Sequence, residues 1–189
     1  MRRTVLLSMT AAALALGVWV ACQRQMAQLG ASVLPAAEAA AKPVSAVFIV
    51  RHAEKDGECL SPEGKERARR LAEVFKYAKV HHLVASKLCR TRETLEPLAA
   101  LQKIEAKQIA EVGDLDVASA AEVAKLVRSY KPGDVSVVAH HSTTVQEIAE
   151  ELGVPKGEAR SIDTVGNDTI ALVLLPAEGG AQLVQLAYR

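Results

Sequence analysis

Val47-Phe48-Ile49-Val50-Arg51-His52-Ala53-Glu54-Lys55 is the stretch on which the fold of this chain turns. Four apolar residues run straight into Arg-His. A short unbroken apolar run of this kind, rich in Val and Ile, predicts a strand buried on both faces. Arg51 and His52 then stand at its carboxyl end, the edge at which open α/β sheets bind ligands. A guanidinium there can hold phosphate oxygens in a fork, and an imidazole beside it can attack phosphorus. An Arg-His pair after a strand is, by itself, a common accident of a surface. To mean more, it needs further cations, a proton donor and a second histidine from elsewhere in the chain.

The rest of the chain supplies alternating elements. Ser61-Pro62-Glu63 opens a helix with a capping hydroxyl, a first-turn proline and an acid at the positive end of the dipole. Ala68, Leu71, Ala72, Phe75 and Ala78 fall at helical spacing and are expected to face a sheet, with Lys65, Arg67, Arg69 and Arg70 on the solvated side. Val80 to Ala85 predicts a second strand, with one of His81 and His82 in the core and one at the surface. Arg90 to Leu101 predicts a helix despite Pro97, Ala106 to Ala110 a short third strand, and Val117 to Tyr130 a third helix. After the Lys131-Pro132-Gly133-Asp134 turn, Val135 to Ala139 is a buried strand ending in His140-His141. Ser142 to Leu152 predicts the next helix, with the Ser142 hydroxyl as its cap and Gly153 behind it. Thr169 to Leu175 and Gln182 to Ala187, joined at Gly179-Gly180, form a closing hairpin. Strands alternating with helices imply an α/β fold: a three-layer sandwich whose largely parallel central sheet is flanked by helices, with a C-terminal hairpin.

With 189 residues the chain is long enough for one domain with a sizeable core. A net charge of +1 and an aromatic content of 3% argue against a nucleic-acid partner, which needs a basic surface or stacking platforms. Residues 1–22 read as a signal peptide or N-terminal membrane anchor, because Arg2 and Arg3 precede a run from Val5 to Ala21 without a charge. Cys22 after Val20-Ala21 resembles the end of a bacterial lipoprotein signal. Export to the periplasm is therefore expected, with a cleaved signal, lipidation at Cys22 and an uncleaved membrane tether all left open. Residues 23–43, dominated by Ala, Gln and Pro, read as a linker, which leaves residues 44–189 as the folded domain. An exported chain permits a disulfide between Cys59 and Cys89; the alternative is two separate thiols.

Three strand ends now carry polar groups: Arg51-His52, Ser86 to Arg90, and His140-His141-Ser142. A parallel sheet places such ends along one edge, where they can share a pocket. Arg51-His52-Ala53-Glu54-Lys55, Leu60-Ser61-Pro62-Glu63-Gly64, Ser86-Lys87-Leu88-Cys89-Arg90-Thr91-Arg92-Glu93-Thr94 and Val138-Ala139-His140-His141-Ser142, in that order, resemble the histidine phosphatase superfamily, the phosphoglycerate-mutase-like group in its short, cap-poor form. The likeness runs from about Val44 to the C-terminus.

The resemblance implies roles. His52 would take the phosphoryl group, Arg51 and Arg90 would hold its oxygens, and a second histidine would stabilise charge in transfer. Most members end the relevant strand in Gly-His-Ser, so an ungapped match sets His141 on the histidine, Ser142 on the serine as a further substrate-binding position, and His140 on the glycine. His140 is a departure that narrows the pocket or faces away. The family places a carboxylic acid in the loop after the third strand, where Asp116, Asp114 and Glu111 compete; Asp116 stands nearest the expected spacing. An Asp before a helix is also an ordinary cap. No HExxH-type spacing occurs, and neither a metal nor another cofactor is expected. The implied activity is a metal-independent phosphatase acting on a small phosphorylated substrate or a phosphoprotein. Its alternatives are a non-catalytic phosphate-binding module of the same fold and a phosphomutase.

Overall fold

A computed structural model of the protein describes residues 42–114, 116 and 118–188. The expected signal or anchor segment, Cys22 and nearly all of the linker lie outside the described residues. Among the described residues, no helix is long and apolar enough to cross a membrane.

The element order is β1 (Val44–Arg51), β2 (Lys55–Asp56), β3 (Cys59–Leu60), α1 (Pro62–Val74), β4 (His82–Ala85), α2 (Cys89–Gln102), a 3₁₀ turn (Ala106–Gln108), β5 (Ala110–Glu111), α3 (Ala118–Arg128), β6 (Val135–His140), α4 (Val145–Glu151), α5 (Lys156–Ala159), β7 (Thr169–Pro176) and β8 (Gln182–Ala187). The main sheet has the order β5-β4-β6-β1-β7-β8. Strands β5, β4, β6 and β1 run parallel, and the hairpin β7–β8 adds to β1 antiparallel.

Strand pleating divides the core in two. Val47 and Ile49 of β1, Val84 of β4 and Val138 of β6 pack with residues of α3, α4 and α5. Phe48, Val50, Leu83, Ala85, Val137 and Ala139 pack with residues of α1 and α2 on the other face. The alternation follows from a side-chain period of two, and both faces are apolar because both are covered by helices. The expected sandwich is therefore what the chain forms.

Helix α1 starts as its sequence implies. Ser61 is the N-cap, its Oγ accepting from the Gly64 amide at 3.1 Å. A Cβ at Gly64 would stand 2.0 Å from the Glu54 carbonyl oxygen, so only glycine lets the first turn lie against the loop that follows β1. The disulfide Cys59–Cys89, with a Cα–Cα distance of 5.0 Å, ties β3 to the first residue of α2.

Several expectations fail in informative ways. Helix α1 ends at Val74, and Ala78 is exposed beyond it. Arg67 does not lie on a solvated face: its Nε and one terminal nitrogen both sit 2.6 Å from Glu54 Oε1, and both side chains are about four-fifths buried. In place of a strand from Ala106 the chain makes a 3₁₀ turn, closed by reciprocal bonds between Glu105 and Gln108, and β5 keeps only two residues. Ser142 does not cap α4; the helix begins three residues later with Thr144 as its N-cap. His81 and His82 do not split between core and surface. Both are half-buried beside Asp134, with His82 Nε2 2.8 Å from Asp134 Oδ2 and its ring stacked on Tyr130 at 3.6 Å. Asp134 immediately precedes β6, so this cluster stands at the amino-terminal edge of the sheet, opposite Arg51-His52.

Candidate active site

The carboxyl ends of β1, β4 and β6 adjoin. Arg51 pairs in register with His140, and the His52 amide continues the ladder by donating to the His140 carbonyl at 2.9 Å. His52 and His141 come together with ring centroids 5.4 Å apart. Both rings are nearly inaccessible, as is Arg90 in the first turn of α2.

The ring of His52 has a defined tautomer. Its Nδ1 lies 2.7 Å from the Ala53 carbonyl oxygen. A carbonyl only accepts, so Nδ1 carries the proton and Nε2 keeps the lone pair. Burial is the largest influence on its pKa. The Ala53 bond opposes it, and Arg90, Arg51 and Lys55 reinforce it, bringing the value from 6.5 down to about 4. At neutral pH His52 is thus an uncharged imidazole with a free nitrogen in a cationic setting.

The Ala53 carbonyl is itself held in place. The Ala53 amide donates to Thr94 Oγ1 at 3.1 Å, and that hydroxyl donates to the Arg90 carbonyl at 2.7 Å. One buried threonine therefore couples the loop after His52 to the turn carrying Arg90. His141 is oriented in the same way: its Nε2 lies 2.8 Å from Ser86 Oγ, and Ser86 Oγ lies 2.9 Å from Thr91 Oγ1. His141 is also neutral. Burial first, then His140, His52, Arg90 and Arg51, lower its pKa to about 3. Ser86, Thr91 and Thr94 lie in the motif quoted from the sequence, but the sequence gives their hydroxyls no role. The available signal was their spacing, since Thr91 and Thr94 are three apart on one face of α2, below a serine that ends a strand.

Arg51 Nε, Arg90 Nε and His141 Nδ1 are buried without a hydrogen-bond partner. A buried guanidinium N–H without a partner is costly, and an oxyanion supplies the acceptor that Arg51 Nε and Arg90 Nε lack. Arg51 also donates to the carbonyls of Thr164 and Val165, at 3.2 and 2.6 Å, which ties the loop before β7 to the site. Ser142 follows His141 and is half-buried.

The three candidate acids are placed differently. Glu111 pairs with Arg92 at 3.0 Å. Asp116 caps α3, its Oδ1 accepting from the Ser119 amide at 3.0 Å and from the Ser119 hydroxyl at 2.6 Å. Those bonds lower its pKa, the wrong direction for a proton donor. Asp114 is exposed on the same loop, with its amide donating to Ser119 Oγ at 2.7 Å. Among the described residues, the one cluster with metal-ligand spacing is Cys59, Cys89 and Glu93, and both of its sulfurs are in the disulfide.

Residues 47–122 match the model of the histidine phosphatase superfamily (branch 1). The match spans 76 of the 189 residues, and over them the chain is similar to that superfamily. Solved structures share the fold. A mycobacterial glucosyl-3-phosphoglycerate phosphatase is similar at 16% identity with a TM-score of 0.58, covering 77% of this chain and 100% of that one. A protein assigned as the phosphohistidine phosphatase SixA of Nakamurella multipartitia is similar at 20% identity with a TM-score of 0.56, covering 78% and 98%. A phosphoglycerate mutase of Plasmodium falciparum is similar at 18% identity with a TM-score of 0.53, covering 78% and 94%. At these identities the likeness is one of fold. No curated protein matches the sequence.

Proposed function

We propose that this histidine phosphatase superfamily chain is a metal-independent phosphatase that hydrolyses phosphomonoesters, or the more labile phosphohistidine and phosphoanhydrides, through a phosphohistidine on His52. The observation that carries this reading is the His52 tautomer: a proton fixed on Nδ1 by the Ala53 carbonyl, and Nε2 free and uncharged beside two arginines and a second histidine. A module that only bound phosphate would gain nothing from a nucleophile held in that state.

The reaction divides among the side chains at hand. His52 Nε2 attacks phosphorus while the bond to the leaving oxygen breaks. Arg51, Arg90 and His141 Nδ1 donate to the phosphoryl oxygens, where removing one such donor typically costs about 3–4 kcal/mol in the barrier. The leaving oxygen takes a proton from a carboxylic acid. Asp116 has the spacing expected of this acid, but its carboxylate is engaged with Ser119 as a helix cap, and we assign the proton to Asp114. Water then attacks the phosphohistidine, Asp114 takes the water's proton, and the Nε2–phosphorus bond breaks to release phosphate. Each step has a protein group, so none calls for a metal ion. Ser142, next to His141, would be a further contact to the bound substrate. An exposed acid suits substrates whose leaving groups need little protonation, which favours phosphohistidine and aryl or anhydride phosphates over alkyl esters. Export of the chain, with a membrane tether through its N-terminus, belongs to the same proposal and rests on Arg2, Arg3 and the uncharged run up to Cys22.

The test is covalent. The full chain is mixed with 2,4-dinitrophenyl phosphate in neutral buffer containing a chelator, quenched rapidly and mapped by mass spectrometry beside His52→Ala. Acid-labile phosphate on His52, with turnover lost in the variant, is the expected result. Turnover that survives in the variant, or that requires added metal, refutes the proposal.

A further inference from the structure

His140 occupies the position where the resemblance expects glycine, and it neither enters the pocket nor faces solvent. Strand alternation sends it to the same side as Val138, toward α3 and α4, and it is fully buried. Its Nε2 lies 3.3 Å from the Val112 carbonyl oxygen and its Nδ1 lies 2.6 Å from Thr144 Oγ1. The carbonyl can only accept, so Nε2 carries the proton. Nδ1 is then an acceptor, and the Thr144 hydroxyl donates to it. The Thr144 oxygen in turn accepts from the His141 amide at 3.2 Å. A single ring thus joins the loop that carries Asp114 to the backbone of the second active-site histidine.

That loop is otherwise fastened from other sides. The Val112 amide donates to the Ala85 carbonyl at 2.8 Å, the Lys87 amide donates to the Gly113 carbonyl at 3.3 Å, and the Asp114 amide donates to Ser119 Oγ. Gly113 has a φ of +73°, and a Cβ there would stand 2.3 Å from Ser119 Cβ, so the turn has little room to relax. The His140 bond supplies its link to β6, the strand that carries His141. A glycine at 140 would leave the Val112 carbonyl and the Thr144 hydroxyl without this partner, and a void the size of an imidazole.

We propose that His140 is a positioning residue for leaving-group protonation, holding the Val112–Asp114 turn in register with His141 and His52. It touches no reacting atom. The proposal rests on the phosphatase reading above and adds a residue to it.

The experiment compares wild type, His140→Asn and His140→Gln on two substrates, an alkyl phosphate, which needs its leaving oxygen protonated, and 2,4-dinitrophenyl phosphate, which does not. Glutamine can place an amide donor where Nε2 stood; asparagine is too short to reach Val112. Because acid catalysis contributes about 10²–10⁴ in rate, a displaced acid should show as a drop of roughly 10²-fold in kcat/KM for the alkyl ester in His140→Asn. The aryl ester should stay within about threefold, and His140→Gln should keep the wild-type ratio of the two substrates within about threefold. Equal losses on both substrates, equal behaviour of the two variants, or no loss at all would overturn the proposal. Phosphate captured on His52 in each variant reports on the underlying reading separately. If the wild type itself forms no such adduct, the phosphatase assignment fails; if adducts form but the substrate ratio does not move, the role of His140 alone fails.

Discussion

Replacing Ser86 with alanine tests whether the second histidine works because it is held. Ser86 is fully buried, its Oγ 2.8 Å from His141 Nε2 and 2.9 Å from Thr91 Oγ1, and it accepts from the Leu88 amide at 3.3 Å. Alanine keeps the β-carbon and removes the oxygen. Thr91 retains its bonds to the Ser86 and Leu88 carbonyls, so its hydroxyl is not orphaned. His141 has no such reserve, because its Nδ1 already lacks a partner. One lost bond and one buried nitrogen left unsatisfied amount to about 1–3 kcal/mol of stability, read as a lower urea midpoint with an unchanged slope. The catalytic effect is bounded by complete loss of the donor, about 3–4 kcal/mol. A ring that stays but turns freely loses part of that, and at about 1.4 kcal/mol per tenfold the expected fall in kcat is roughly 10- to 50-fold. The assay is single-turnover phosphorylation of His52 in wild type, Ser86→Ala, His141→Ala and the double variant. If Ser86 acts through His141, removing it in the His141→Ala background costs little more. Fully additive losses, or a Ser86→Ala protein with wild-type rate and midpoint, would refute the reasoning.

Three further outcomes follow from the geometry. In a proton-detected NMR titration, His52 should take up its second proton near pH 4 and His141 near pH 3, well below the ordinary imidazole value of 6.5; a midpoint near 6.5 for either would contradict the buried, cation-flanked site. The unfolded chain binds those protons near 6.5 and the folded chain does not, so stability is complete above that pH and declines as pH falls through the window below it. Replacing Cys59 and Cys89 with serine opens a loop of sequence separation 30 and should cost about 3–4 kcal/mol by the chain-entropy relation, seen in denaturant titration of the double variant beside oxidised wild type; an unchanged midpoint would mean that the hairpin–helix contact holds without the bond.

Part of this protein is written locally. The run Val47 to Val50, the run Val135 to Ala139 and the Ser61-Pro62 start of α1 each carry their structure in adjacent residues, because burial on both faces demands unbroken apolar composition and helix starts demand a cap. That Arg51-His52, Ser86 and His141 share one edge was legible as well, since parallel strands present their carboxyl ends on the same side; the order of the strands was not. Spacing along the chain was less reliable where several residues of one type compete. Asp114 and Asp116 are two apart, and only the position of Ser119 distinguishes a capping carboxylate from the other.

What tertiary structure decided are the partners. Ala53 meets Thr94 across 41 residues and His141 meets Ser86 across 55, and nothing near either residue in the chain encodes that proximity. The same holds for Arg67, whose place in a basic run suggests solvent until Glu54 is seen 2.6 Å away, and for His140, whose direction follows from the pleat but whose bonds to Val112 and Thr144 follow from how loops pack. The sequence by itself determined which elements form and which of their ends carry chemistry, because those depend on short-range periodicity and composition. The tautomer of His52 and the hydrogen-bond partners of the acids came from the folded chain, because a hydrogen bond forms only when packing brings distant atoms to about 3 Å of each other.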